Sequence, residues 1–206
     1  MPCFPGKRLV APKRYRGGGQ SQTLAPLLKR LAVRHAWAGN RMVKQKRVPN
    51  LPDDDRVARR CGHQKLDRDP ETLAVRGIVP QAVALRTEKG EAYLSTSWFE
   101  YYPGDEASRL KSVVETYRAS GIKLGGNTGI ALLCVGKILS AGAARSCALR
   151  VTHRKSQKDP AYTRVEGLPL DNSDFVLLQM ICDQCCERVT LVSEIDAART
   201  GPSQEA

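Results

Sequence analysis

Apolar and polar positions change rhythm along the chain. Residues 1–22 show no apolar period and are dominated by Pro, Gly, Lys and Arg, so they read as disordered. In residues 23–38, Leu24, Leu27, Leu28, Leu31 and His35 follow helical spacing, with Lys29, Arg30 and Arg34 as the basic component. That is the pattern of a basic amphipathic helix. From Val75 the period shortens to two. VRGIVPQAVALRT and AYLSTSW flank Glu88-Lys89-Gly90 and predict a hairpin about a glycine-containing turn. In the second run Tyr93, Ser95 and Ser97 share one face, opposite Leu94, Thr96 and Trp98.

Asp105 predicts an N-cap. Behind it, Leu110, Val113, Val114 and Tyr117 fall at i, i+3, i+4 and i+7, which predicts a helix over 106–120 stopped by Gly121. The run 130–139, IALLCVGKIL, reads as a buried strand, as do 147–152 and the shorter 162–165. Asp171-Asn172-Ser173 offers caps for a last helix over 174–189, with Phe175, Leu178, Cys182, Cys185 and Val189 on one stripe. The order predicts an α+β fold, a single antiparallel or mixed sheet with two main helices packed on one face. One domain then covers 51–196, between a basic leader (1–50) and a flexible tail (197–206). Met42 offers an internal start, and an over-long gene model is one account of the leader.

Charge sharpens that division. The net charge is +12, yet residues 1–50 hold twelve Lys and Arg and no acid, so 51–206 balance at 21 basic and 21 acidic residues. A nucleic-acid partner is therefore expected only through the leader. No apolar run approaches a transmembrane span. Seven cysteines, an odd number, several within apolar runs, suit free thiols in a reducing cytoplasm.

Residues 57–100, with ARRC near their start and ALR before AYLSTSWFEYY, resemble a family of small uncharacterised bacterial proteins with no established activity. So do Leu149-Arg-Val-Thr-His153 and the later Asp159-Pro160-Ala-Tyr162 and Gly167. The resemblance covers roughly 57–189 and implies a bacterial source. It also implies a second histidine where this chain has Tyr162, a departure that weakens any two-histidine chemistry.

Several constellations carry candidate chemistry. His153, with Glu100 or Glu91 to orient it, is the best-placed general base or acid, and Arg150, Arg154 and Lys155 beside it form a candidate phosphate clamp. Ser95-Thr96-Ser97, with an arginine upstream and Glu100 after it, resembles the Arg, Ser-Thr-Ser, Glu arrangement of ADP-ribosyltransferases, whose glutamate lies much further downstream. Cys182-x-x-Cys185-Cys186 lacks a second knuckle for zinc and reads as core thiols, so no metal is expected. The glycines at 121, 125, 126 and 129 follow a helix and precede a strand, the reverse of a dinucleotide loop, so no cofactor is expected. Five of eleven aromatics lie in 90–102, and Trp98, Tyr101 and Tyr102 are candidate anchors for an unidentified protein partner. The leading expectation is a non-enzymatic bacterial cytoplasmic interaction or accessory protein. The alternative is a small enzyme acting on a phosphorylated or nucleotide substrate through His153.

Overall fold

The structure is a computed structural model that describes residues 50–198. The expectations for the leader, its amphipathic segment, Met42 and most of the tail lie outside the described residues. Strand β5 (Gly129–Cys134) has almost no polar side chain and is buried on both faces, so it needs a strand on each side and a layer above and below. It pairs with β1 (Arg56–Cys61) and β8 (Cys186–Leu191). Beyond β1 lie β4 (Tyr93–Trp98), β7 (Tyr162–Glu166) and β6 (Arg150–His153). The order is β6-β7-β4-β1-β5-β8, antiparallel throughout. Strands β2 (Leu66–Arg68) and β3 (Val75–Ile78) form a separate hairpin.

Alternate residues of the sheet feed two cores. Ala58, Ile130 and Leu132 pack with Leu110, Val113, Val114 and Tyr117 of α1 (Glu106–Ala119), and with Val192 and Ile195 of the last helix. Asp105 caps α1 as expected, its side chain accepting from the Ser108 amide at 2.8 Å. Val57, Leu94, Ala131, Leu133, Val151 and Val165 face the opposite way. They pack against α2 (Val135–Ala144), α3 (Phe175–Met180) and the small hairpin. The last helix, α4, spans Val192–Ala197. Among the described residues no helix is long and apolar enough to cross a membrane.

The α+β class and the antiparallel main sheet agree with the expectation, but the helices divide between both faces because β5 is apolar on both. The expected hairpin of 75–98 does not form. Val75–Ile78 pairs with β2, while β4 pairs with β1 and β7. The apolar run 130–139 is half strand and half helix, since uniform hydrophobicity marks burial without marking period. The last predicted helix stops at Met180, passes through a π-turn at Ile181–Cys185 and continues as β8. Strand β1 itself, central to the sheet, falls in a stretch that reads as mixed Pro, Asp and Arg blocks. Ahead of it, Asp55 O and Asp53 O accept from the Val135 and Gly136 amides at 2.9 and 2.8 Å, so backbone carbonyls satisfy the start of α2.

Gly142 shows how closely α2 approaches the chain entering β6. A Cβ there would sit 2.6 Å from Leu149 Cγ and 2.8 Å from Cys147 O, whereas Gly125 faces open space. Gly142→Ala is expected to cost about 1–3 kcal/mol by overpacking. Gly125→Ala should leave stability nearly unchanged, and urea unfolding of the pair checks the contrast.

Candidate functional site

Strands β1 and β4 are neighbours with a short ladder. Val57 pairs with Trp98 and Ala58 with Ser97, and pairing stops there although β1 continues to Cys61 and β4 starts at Tyr93. Backbone groups past that point need other partners. Tyr117 of α1 donates its hydroxyl to Ala58 O at 3.0 Å. Arg59 donates through Nη1 to Ser95 O at 2.7 Å and through Nε to Ala82 O at 3.2 Å.

The opening between the strands is a cleft of about 320 Å³. Arg59, Arg60, Arg86 and Lys158 bring cations to it, Ser95, Ser120, Ser156, Tyr117 and Tyr162 bring hydroxyls, and Ile122 adds an apolar wall. Its floor continues onto an uncovered half of the sheet. Directly opposed residues of antiparallel strands share a face, so Ser95, Arg164 and Tyr162 lie on the α1 side, beyond the reach of the apolar cluster under that helix. Tyr162 and Ser95 share a hydrogen bond of 3.1 Å, and the Arg164 guanidinium stacks over Tyr93 at 3.9 Å.

The lining is electrostatically one-sided. Asp159 is its one carboxylate, and both its oxygens are engaged: Ser97 Oγ donates to Oδ2 at 2.8 Å and the Ala161 amide to Oδ1 at 2.9 Å. Burial raises the Asp159 pKa above the usual carboxylate value, with those two bonds opposing it. Arg86 is ion-paired with Glu91. Arg59, Arg60 and Lys158 form no ion pair with any described residue. Burial lowers the pKa of the Arg59 guanidinium, as expected for a half-buried cation that lacks a counterion.

Most of the residues singled out in the sequence lie elsewhere. His153 donates through Nε2 to Pro160 O at 2.8 Å, and its ring packs against Trp98 and Tyr101 with centroids 5.3 and 5.9 Å away. It does not line the cleft. Glu100 accepts from the Arg56 amide at 2.7 Å and Arg56 Nε at 2.9 Å, with Arg109 at 3.9 Å, so its partners are Arg56 at the start of β1 and Arg109 of α1. Arg150 and Arg154 both lean on Glu166, at 3.6 and 3.2 Å, and Lys155 is exposed on the following loop. Trp98 is half-buried and donates its indole N–H to Asp55 Oδ2 at 2.8 Å. Tyr101 is exposed, whereas Tyr102 is core and donates its hydroxyl to Thr116 Oγ1 at 3.0 Å, which removes it from any docking surface. The Ser-Thr-Ser trio is split three ways. Ser95 faces the cleft, Thr96 pairs with Thr163 at 2.7 Å, and Ser97 is held by Asp159.

Sequence reading missed Arg59, Arg60 and Arg86. One signal was available: Val57 and Cys61 are fully buried on one face of β1, and Arg59 stands between them. A charged residue at an inward position of a central strand needs a special environment. Among the described residues no group of three or more His, Cys, Asp or Glu side chains is placed to hold a metal. Comparison with protein families, curated proteins and solved structures found no match for this chain.

Tyr117→Phe would leave the Ala58 carbonyl without its partner, at an expected cost of about 1–3 kcal/mol in urea unfolding; an unchanged midpoint would mean that the hydroxyl does not hold the split. The thiols give a second prediction. Burial pushes Cys61 and Cys186 up to about 11 and Cys182 and Cys185 up to about 12, from an ordinary 9.0. Each binds its proton more tightly folded than unfolded, so this stabilisation is intact below pH 9 and is lost as pH climbs toward 11 and 12. Alkylation of these four at pH 8 should accelerate sharply only on unfolding, which peptide mapping by mass spectrometry resolves.

Proposed function

We propose that the protein binds a phosphorylated small molecule in the cleft between β1 and β4. The observation that carries this reading is the convergence of Arg59, Arg60 and Lys158, none ion-paired with a described residue, around a cavity whose one carboxylate is already engaged. Arginine suits phosphate because its planar fork donates two parallel hydrogen bonds to two oxygens. Arg59 uses Nε and one Nη1 proton on backbone carbonyls, which leaves its Nη2 protons for a ligand. Ser95 and Tyr162 share one hydrogen bond between their hydroxyls, so this pair would keep one proton to donate to a ligand.

This is a reading of binding rather than turnover. A general base at His153 would have to act from outside the lining, and Glu100 is committed to Arg56. Docking of a protein partner on the aromatics has less support, since Trp98 is tied to Asp55 and Tyr102 is buried. Tyr101 stays exposed beside His153. A reducing bacterial cytoplasm is supported by the free thiols and by the family resemblance.

The test is calorimetric titration of the full chain with AMP, ribose 5-phosphate and inorganic phosphate. Hydrogen bonds to charged groups contribute about 1.5–3 kcal/mol each. Arg60→Ala combined with Lys158→Ala is therefore expected to weaken binding by about tenfold or more, with an unchanged melting temperature because both side chains are exposed. Equal affinity in the double variant would refute the site.

A further inference from the structure

A second chamber of about 200 Å³ borders the first: it shares Arg59, Arg60 and Arg86 with it and adds His63 and Lys65. The two chambers differ in chemistry. The first sets the half-buried Tyr162 and Ile122 beside its cations, surfaces on which a ring can lie. The second has no carboxylate and no apolar side chain among its lining residues. Its shape comes from a tight turn at His63–Lys65, closed by the Lys65 amide donating to Gly62 O at 2.8 Å. The Val79 amide in turn donates to Lys65 O at 3.1 Å, tying the turn to the chain that follows β3.

Lys65 is half-buried and forms no ion pair with any described residue. Burial lowers its pKa, and Arg59 and Arg86 add to the effect. Since Glu91 neutralises Arg86, the uncompensated charges at the second chamber are Arg59, Arg60 and Lys65. Holding three cations together without a counterion is unfavourable, and an anion of matching charge relieves it. One phosphate monoester supplies about 1.5–2 negative charges, short of three. A second phosphoryl group closes the difference.

We propose that the ligand spans both chambers as a nucleoside diphosphate or longer nucleoside phosphate. Its base and ribose lie against Tyr162 and Ile122, and its terminal phosphoryl group lies among Arg59, Arg60 and Lys65. This rests on the phosphate-binding reading of the first chamber and names the ligand class it serves.

Titration of the full chain with inorganic phosphate, pyrophosphate, AMP and ADP tests it. ADP is expected to bind at least about tenfold tighter than AMP, and pyrophosphate tighter than phosphate, one charge-assisted contact being sufficient for that factor. Lys65→Met should erase the advantage of ADP while leaving AMP affinity unchanged, and Lys65→Arg should restore it, with thermal melts confirming that both variants fold. Equal affinity for AMP and ADP in the unmodified protein would overturn the inference and leave phosphate binding standing. So would a Lys65→Met variant that weakens both nucleotides alike. Failure of all four probes to bind would overturn both.

Discussion

Between β1 and β4 the ladder breaks after Ala58 and Ser97, and side chains take over where the backbone stops pairing. Tyr117 and Arg59 satisfy the Ala58 and Ser95 carbonyls. Without them the two strands would either close the gap or leave polar backbone buried and unpartnered, which is costly. The cleft exists because neither happens. The same two residues line it, so the interaction that keeps the sheet open also shapes what can enter.

The half of the sheet beyond the split supports this arrangement. On the α1 side, helix packing ends with Ala58, and β4 and β7 present Ser95, Tyr162 and Arg164 instead of apolar residues. The opposite face of the same strands carries Leu94 and Val165 into the larger core. The strands are therefore anchored from below and free above, which provides a rigid floor for a polar site. Asp159 secures the loop over this floor through Ser97 and the Ala161 amide, and Ser156 closes that loop by accepting from the Asp159 amide at 2.9 Å.

A second polar centre lies at the start of β1. Arg56 joins Glu100 and Glu106 at 2.9 Å each, and its guanidinium stands 4.7 Å from the Phe99 ring centre. This network links the end of β4 to the start of α1, and it explains why Glu100 is a structural residue. The aromatic cluster of Trp98, Tyr101 and His153 does similar work at the same end of the sheet, with His153 joining β6 to the loop before β7 through Pro160. The aromatic stretch thus organises the junction between sheet and helix, while the ligand cleft lies further along the same strand.

Sequence periodicity by itself determined the capped helix at 106–119, the strands near 93–98 and 162–166, and the α+β class, because each reports a local choice between periods of two and 3.6. Composition located the whole formal net charge in the first fifty residues. Tertiary structure alone decided the rest. A uniformly apolar run such as 129–144 carries no period, so only its packing divides it into β5 and α2. Strand β1 was hidden by Arg56, Arg59 and Arg60, whose meaning depends on what each one faces: a carboxylate pair, two backbone carbonyls, and the open cleft. The site joins residues from 59 to 162 that share no local motif. Their convergence follows from strand order, which depends on long-range pairing that no short window of sequence contains.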